Sequence, residues 1–272
     1  CLGCARTGDE IATWRDATSA VRGAIWDALP ARFDRLGVTL RRLPWDTPRI
    51  RDEVAARLKA GAGTWVMGVP GAVAEFTAVP GGAVDIETRG QTLVARTAGA
   101  CLRMLFGDHI RALELAGQDA GERLILAVKR EAGRPERHPG LTLCGPDTNA
   151  IDPADRDAML VDLGIDRSGA RFCVRLRDGA ALASVRAAEG LPLIESLPRI
   201  GAALVTESPT RVIETALGRI EVDTRIPPPG GVSPAGPHTH LLPDHLATGR
   251  AMPPGMDLPR AYLPGAIFYG TG

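Results

Sequence analysis

The sequence predicts an α+β protein, in which an antiparallel sheet with flanking helices packs against a second small α+β unit. Apolar residues alternate with a period of two over most of residues 64–105, which is typical of half-buried strands. The gaps between the alternating segments are only a few residues long, too short for the crossovers that parallel strands need. With 272 residues, 44% of them hydrophobic, the chain is long enough to bury a large core.

Helices are predicted before this sheet. The sequence Thr7-Gly-Asp-Glu10 is a capping box, which marks a helix start. Apolar residues then recur three or four apart between residues 11 and 28, so we expect one helical face packed on the core. A second helix is expected from Thr47 and Pro48 and should end at Gly61, because glycine is favoured just after a helix.

The strands of the first unit are predicted to form a meander joined by glycine-containing turns. Residues 109–115 fit a helix or a strand equally well. The predicted strands cover residues 64–69, 72–79, 83–88, 92–96, 100–105 and 122–130.

A second unit is predicted from about residue 140. It would contain a helix over 152–163, a strand over 171–177, a helix from Asp178, a strand over 202–206 and a hairpin around Leu217-Gly218. The proline-rich remainder should stay irregular and be held on the surface by its aromatic residues. The chain is therefore divided into an N-terminal unit, a second α+β unit and a histidine-containing tail, at residues 1–138, 139–226 and 227–272.

Composition excludes several function classes. Acidic and basic residues number 32 each and aromatic residues make up 4%, which argues against nucleic-acid and membrane-surface partners. The sequence contains no apolar run of about 18 residues, no phosphate-binding G-x-x-x-x-G-K-[ST] loop and no G-x-S-x-G elbow. Cys101, Cys144 and Cys173 are scattered in apolar segments and are expected to be buried free thiols, so we predict a cytoplasmic protein.

The strongest candidate site is the segment that contains His238, His240 and His245. In an extended backbone the first two rings point to the same side and can reach one metal ion. Pro243 can start a short helix that places His245 beside Asp244. These four side chains (His238, His240, His245 and Asp244) are the predicted ligands, and their chemistry suits zinc, iron, manganese or nickel.

A structural role for this segment is the alternative, because histidines in proline-rich loops often cap helices or bind backbone. His240 and His245 are five apart, which is not a same-face helical spacing. Glu75 and Glu87 are candidate acids or bases only if a cleft lies beside them. His109 and His138 fit surface or capping positions, and the sequence does not indicate whether they approach the C-terminal histidines. No catalytic residue is assigned.

The stretches 64–76, TWVMGVPGAVAEF, and 236–243, GPHTHLLP, resemble a family of uncharacterised bacterial proteins, a domain of unknown function found mainly in proteobacteria. The resemblance covers nearly the whole chain. It implies a bacterial, soluble protein and supplies no activity.

Three hypotheses of function remain open at this point. The protein is a metal-dependent enzyme or metal-binding protein, a non-enzymatic small-ligand-binding protein with the histidine loop as a lid, or a homo-oligomeric scaffold that uses its tail as an arm. None of the three involves nucleic acid or a membrane.

Overall fold

The structure is a computed structural model, which describes residues 6–14, 16–36, 40–69, 71–115, 123–133, 135–136, 138–167, 169–177, 179–241 and 258–270. The predicted α+β class is confirmed: two large antiparallel sheets are accompanied by a few helices. Among the described helices, none is long and apolar enough to cross a membrane.

The helices largely follow the predicted start and stop signals. The capping box of Thr7 and Glu10 is formed as predicted, but the expected single stripe is split into two helices. Asp46 rather than Thr47 caps the third helix, and Gly61 ends it at a φ of 63°. The helices are α1 (Gly8–Ala12), α2 (Ser19–Leu36), α3 (Thr47–Ala60), α4 (Ala180–Ala187) and α5 (Leu193–Glu207).

Fifteen strands lie within the described residues. In chain order they are β1 (Leu40–Arg42), β2 (Gly63–Val69), β3 (Ala72–Phe76), β4 (Asp85–Arg89), β5 (Thr92–Thr97), β6 (Ala100–Leu105), β7 (Ile110–Leu115), β8 (Arg123–Lys129), β9 (Thr142–Pro146), β10 (Met159–Arg167), β11 (Ala170–Leu176), β12 (Thr210–Thr215), β13 (Gly218–Val222), β14 (His238–Leu241) and β15 (Tyr262–Gly270).

The strands form two sheets whose inner faces share one core. The first sheet has the order β1-β7-β8-β15-β2-β3-β14, and the second has the order β4-β5-β6-β13-β12-β11-β10-β9. Trp65, Phe76 and Phe268 of the first sheet belong to the same buried cluster as Phe172 and Ile213 of the second. Burial of this apolar surface is the main force that holds the sheets together.

The predicted meander is wrong at one point, because the chain changes sheets between β3 and β4. The hairpin β2–β3 belongs to the first sheet, whereas β4, β5 and β6 belong to the second. There β6 pairs with β13, so strands from two predicted units share a sheet. The three-part division of the chain stays a prediction.

Two element predictions in the second unit are wrong. Asp152 caps a short 3-10 turn at Pro153–Asp155 as its sequence indicates, but the chain then extends into β10 because both β9 and β11 offer it backbone partners. Residues 202–206 lie in α5 instead of a strand. Ile200 and Leu204 of α5 are both buried, four apart, which is the spacing of a helical face.

The tail is not irregular over residues 262–270. β15 lies inside the first sheet, between β8 and β2. Pro264, which cannot donate to a ladder, is tolerated because the pairing with β8 shifts register between Pro264 and Ala266. The ring of Phe268 packs at 5.2 Å from that of Trp65 on β2. This strand supports the β2–β3 hairpin, and β14 pairs with the outer side of that hairpin.

Candidate metal centre

The strand β14 brings two histidines beside a glutamate of β3. In the antiparallel pairing, His238 lies opposite Glu75 and His240 lies opposite Val73. Because successive side chains of a strand alternate between faces, His238, His240 and Glu75 share the outer face of the sheet. Thr239 points to the other side, towards the second sheet.

The polar atoms of these three side chains meet at short range. His238 Nε2 and His240 Nε2 are 2.8 Å apart, His238 Nε2 is 3.3 Å from Glu75 Oε2, and His240 Nε2 is 3.2 Å from Glu75 Oε1. Two ligands that are each about 2.1 Å from one ion lie about 3.0 Å apart at a right angle and about 3.4 Å apart at the tetrahedral angle. The observed spacings therefore match a set of atoms around one metal ion.

The ring of His238 is held by a backbone contact. Its Nδ1 donates to the carbonyl of Gly236 at 2.9 Å, which leaves the lone pair of Nε2 directed at the cluster. Gly236 has a φ of 103°, and a Cβ there would lie 2.5 Å from Val79 Cγ1. Only glycine fits this backbone path without strain. The orientation of His238 thus depends on a residue outside the predicted ligand set.

A buried arginine of the second sheet holds β14 in place on the side opposite the two histidines. Arg211 of β12 donates from Nε to Thr239 Oγ1 at 3.2 Å and from Nη2 to Thr224 Oγ1 at 3.1 Å. Thr224 in turn donates to the carbonyl of Pro237 at 2.8 Å. Burial lowers the pKa of Arg211 to about 10. These bonds tie the histidine strand to the second sheet, so both rings are positioned from the protein interior.

The cluster is partly open to solvent. The exposed fractions of the side chains are 17% for His238, 35% for His240 and 26% for Glu75. Tyr269 lies nearby, and burial raises its pKa, with a smaller contribution from the charge of Glu75. Two imidazoles and one carboxylate form a common ligand set for divalent transition metals, and an open side leaves positions for water or substrate.

The structure brings together half of the predicted ligand set. His238 and His240 share one side of an extended strand, as their spacing predicts. Asp244 and His245 lie outside the described residues. Glu75 was predicted only as a candidate acid or base, and no sequence signal links it to a strand so distant in the chain. Glu87 lies on the other sheet, beside Arg89.

A second cluster contains His138, Cys144 and Asp162, whose ligand atoms all lie within 4.8 Å of one another. His138 and Cys144 line a cavity with a volume of about 450 Å³ on the second sheet, and the side chain of Asp162 is fully buried. Burial raises the pKa of Asp162, although a hydrogen bond from His138 opposes the shift, and partial desolvation of its thiol group raises the pKa of Cys144. The prediction that Cys144 is buried is wrong, since this residue is exposed, while Cys173 is buried as predicted.

Two families match parts of the chain. Residues 49–271 match the family of unknown function DUF6925, and residues 1–33 match the protein of unknown function DUF1289. The first match includes both clusters. Neither a curated protein nor a solved structure matches the chain.

Proposed function

This chain belongs to DUF6925, a family of unknown function, and we propose that it is a metal-binding protein whose divalent ion is held by Glu75, His238 and His240. The observation that carries this proposal is the cross-strand register, which places the two Nε2 atoms and the carboxylate within 3.3 Å of one another. The expected domain of unknown function is confirmed, while a bacterial origin stays a prediction.

The ligand chemistry narrows the choice of metal. Two imidazoles and a carboxylate favour iron, manganese, nickel or zinc over calcium or magnesium, which prefer oxygen ligands. The nitrogen–nitrogen spacing of 2.8 Å is nearer to the right-angle value of about 3.0 Å than to the tetrahedral value of about 3.4 Å. The two nitrogen–oxygen spacings of 3.3 and 3.2 Å lie nearer to the tetrahedral value or midway, so six-coordinate iron(II), manganese(II) or nickel(II) and four-coordinate zinc are all candidates for the titration.

The open side of the cluster supports a reactive site over a closed structural one. Structural zinc sites have four protein ligands, whereas catalytic sites keep a position for water or substrate. An ion in such a position lowers the pKa of a bound water and supplies a nucleophile near neutral pH. The chain's own residues orient the ligands, since Gly236 fixes His238 and Arg211 fixes the strand.

Metal titration of variants tests the proposal. The background carries Cys1→Ser, Cys4→Ser and Cys144→Ser, because free thiols also bind transition metals. Chelator-treated protein without a histidine tag is titrated with each metal by calorimetry. We expect one ion per chain at this site, its loss in the double variant His238→Ala/His240→Ala, and at least about tenfold weaker binding in Glu75→Gln.

Glu87→Gln is the matched control, because it makes the same substitution on a strand of the other sheet. It should bind as tightly as the background. Unchanged binding in the double histidine variant would overturn the proposal. The prediction that Asp244 and His245 add ligands is tested in the same series by Asp244→Asn and His245→Ala, which should each weaken binding.

The alternative hypothesis is a small-ligand-binding protein without enzymatic activity. The 450 Å³ cavity on the second sheet is the observation that favours it. A ligand that prefers the folded state raises the melting temperature, so a thermal-shift screen of small molecules tests this alternative. A hit that persists in the double histidine variant would place ligand binding away from the proposed metal site.

A further inference from the structure

We infer that His138, Cys144 and Asp162 form a second metal site, with a sulfur ligand, in the wall of the cavity on the second sheet. This site would bind a softer metal ion than the Glu75 cluster. It lies at the end of the second sheet where β9 pairs with β10. It does not depend on the function proposed above.

The donor atoms of the three side chains lie close together. His138 Nδ1 is 2.9 Å from Asp162 Oδ2, close to the separation of about 3.0 Å expected for two ligands at a right angle. The three ligand atoms lie within 4.8 Å of one another, and they supply nitrogen, sulfur and oxygen. Thiolate and imidazole together select zinc among the common divalent ions.

In some enzymes a cysteine, a histidine and an aspartate act as nucleophile, base and orienting carboxylate. The distance between the sulfur and the carboxylate is different here. In such a relay the imidazole stands between its two partners, so the nucleophile and the carboxylate are about 7 Å apart. Here the sulfur of Cys144 and an oxygen of Asp162 are within 4.8 Å. The sulfur and the carboxylate oxygen are therefore closer together than a relay through the ring would place them.

A β-bulge places Cys144 at the site. Leu143 pairs with Val161 and Gly145 pairs with Leu160, so Cys144 has no partner in the ladder. A bulge of this kind redirects the extra side chain and is common beside functional sites. The φ of Gly145 is 90°, which favours glycine at this position.

The backbone after Asp162 fixes its carboxylate. Asp162 Oδ1 accepts a hydrogen bond from the amide of Gly164 at 2.9 Å, and the side chain is fully buried. Gly164 has a φ of 71°, and a Cβ there would lie 2.7 Å from the backbone of Gly140. Oδ2 is thereby directed towards His138. Arg171 lies 3.9 Å from the same oxygen and is bonded to Glu214.

An unsatisfied oxygen in the same cavity supports a ligand there. Asp147 lines the cavity and is 1% exposed, and among the described residues its Oδ1 has no hydrogen-bond partner. A buried oxygen without a donor is costly, so such groups usually face water or a ligand.

Cobalt(II) reports sulfur ligation directly, because a thiolate–cobalt bond gives a charge-transfer band in the near ultraviolet. The background carries Cys1→Ser, Cys4→Ser, His238→Ala and His240→Ala, which removes the thiols of Cys1 and Cys4 and the two histidines of the first site. We expect one cobalt ion per chain with this band, and its loss in Cys144→Ser. Cys101→Ser is the matched control and should keep the band.

Zinc protection of the thiol is a second readout that needs no further variant. Iodoacetamide should alkylate the exposed Cys144, as followed by peptide mass spectrometry. Zinc at ten times its Kd should slow this reaction about tenfold, because only the unliganded fraction reacts. No stoichiometric cobalt, a band that survives Cys144→Ser, or an alkylation rate unaffected by saturating zinc would overturn the inference and leave a hydrogen-bonded structural cluster.

Discussion

His238 on β14 lies directly opposite Glu75 on β3, with its Nε2 atom 3.3 Å from Glu75 Oε2. The backbone ladder fixes this relationship, since directly paired residues of antiparallel strands hold their Cβ atoms about 5 Å apart. The proposed ligand set would therefore be built into the sheet before any ion binds. A preformed set loses little conformational freedom on binding, which favours affinity.

Replacing Glu75 by Gln should separate metal affinity from fold stability. The substitution keeps the shape of the side chain and removes its charge, so binding should weaken at least about tenfold. Because Glu75 is partly exposed, the free energy of unfolding without metal should change by less than about 0.5 kcal/mol. Calorimetric titration and urea unfolding measure the two quantities. A large loss of stability with unchanged affinity would contradict the role as a ligand.

Gly236→Ala should weaken metal binding because it disturbs the orientation of the His238 ring, while His240 and Glu75 keep theirs. A side chain at φ 103° is strained and would meet Val79, so the carbonyl that holds His238 Nδ1 must move. We expect a loss of about 1–2 kcal/mol of stability and weaker metal binding.

Gly230→Ala is the control for that experiment. Its φ of 79° imposes comparable strain, but a Cβ there has nothing within 4 Å. This variant should lose stability and keep its metal affinity. If both variants lose affinity equally, the contact between Gly236 and His238 is not what positions the ring.

Arg211→Met should weaken the attachment of β14 to the second sheet. It removes the bonds to Thr239 and Thr224, and a hydrogen bond that involves a charged group contributes about 1.5–3 kcal/mol. Hydrogen exchange should become faster for the amides of β14. Thr239→Val removes only one of these bonds and should have the smaller effect. Unchanged exchange in Arg211→Met would show that β14 is held by its pairing with β3 alone.

Glu214 should make stability depend on pH in the acid range. Burial alone would raise its pKa, but the charges of Arg219 and Arg171 outweigh burial and hold the pKa below its ordinary value. A depressed pKa gives stability that is complete above the unfolded value of about 4.5 and is lost as the pH falls through the folded value.

Glu214→Gln removes this contribution and leaves the buried Arg219 and the half-buried Arg171 with one charged partner fewer. It should cost about 3 kcal/mol at pH 7 and flatten the acid limb of the stability curve. Urea unfolding measures both effects when it is repeated from about pH 3 to about pH 7, a range that includes the unfolded-state pKa of about 4.5. Glu131→Gln, at an 81% exposed side chain, is the control and should keep the limb. An unchanged limb in Glu214→Gln would contradict this assignment.

Local patterns predicted most strands to within a few residues, because alternation of apolar residues follows directly from burial of one face. The failures arose where tertiary pairing overrode a local signal. Asp152 and Pro153 do form a cap, yet the following residues extend because strands lie on both sides. β15 lies in the interior of the first sheet despite Pro264, and the register shift that permits this is invisible in sequence.

The candidate site was predictable only in part, for the same reason. The spacing of His238 and His240 indicates a shared side in any extended backbone. Glu75 joins them through a strand pairing whose register depends on the whole sheet. Likewise, nothing local indicates that Cys144 sits in a bulge facing His138 and Asp162.

The most direct test of the metal centre is equilibrium dialysis with elemental analysis in the background without Cys1, Cys4 and Cys144. The protein should retain about one divalent ion per chain, and this ion should be absent from His238→Ala/His240→Ala and depleted in Glu75→Gln. Equal metal content in all three proteins, or none in the parent at saturating metal, would contradict the proposal.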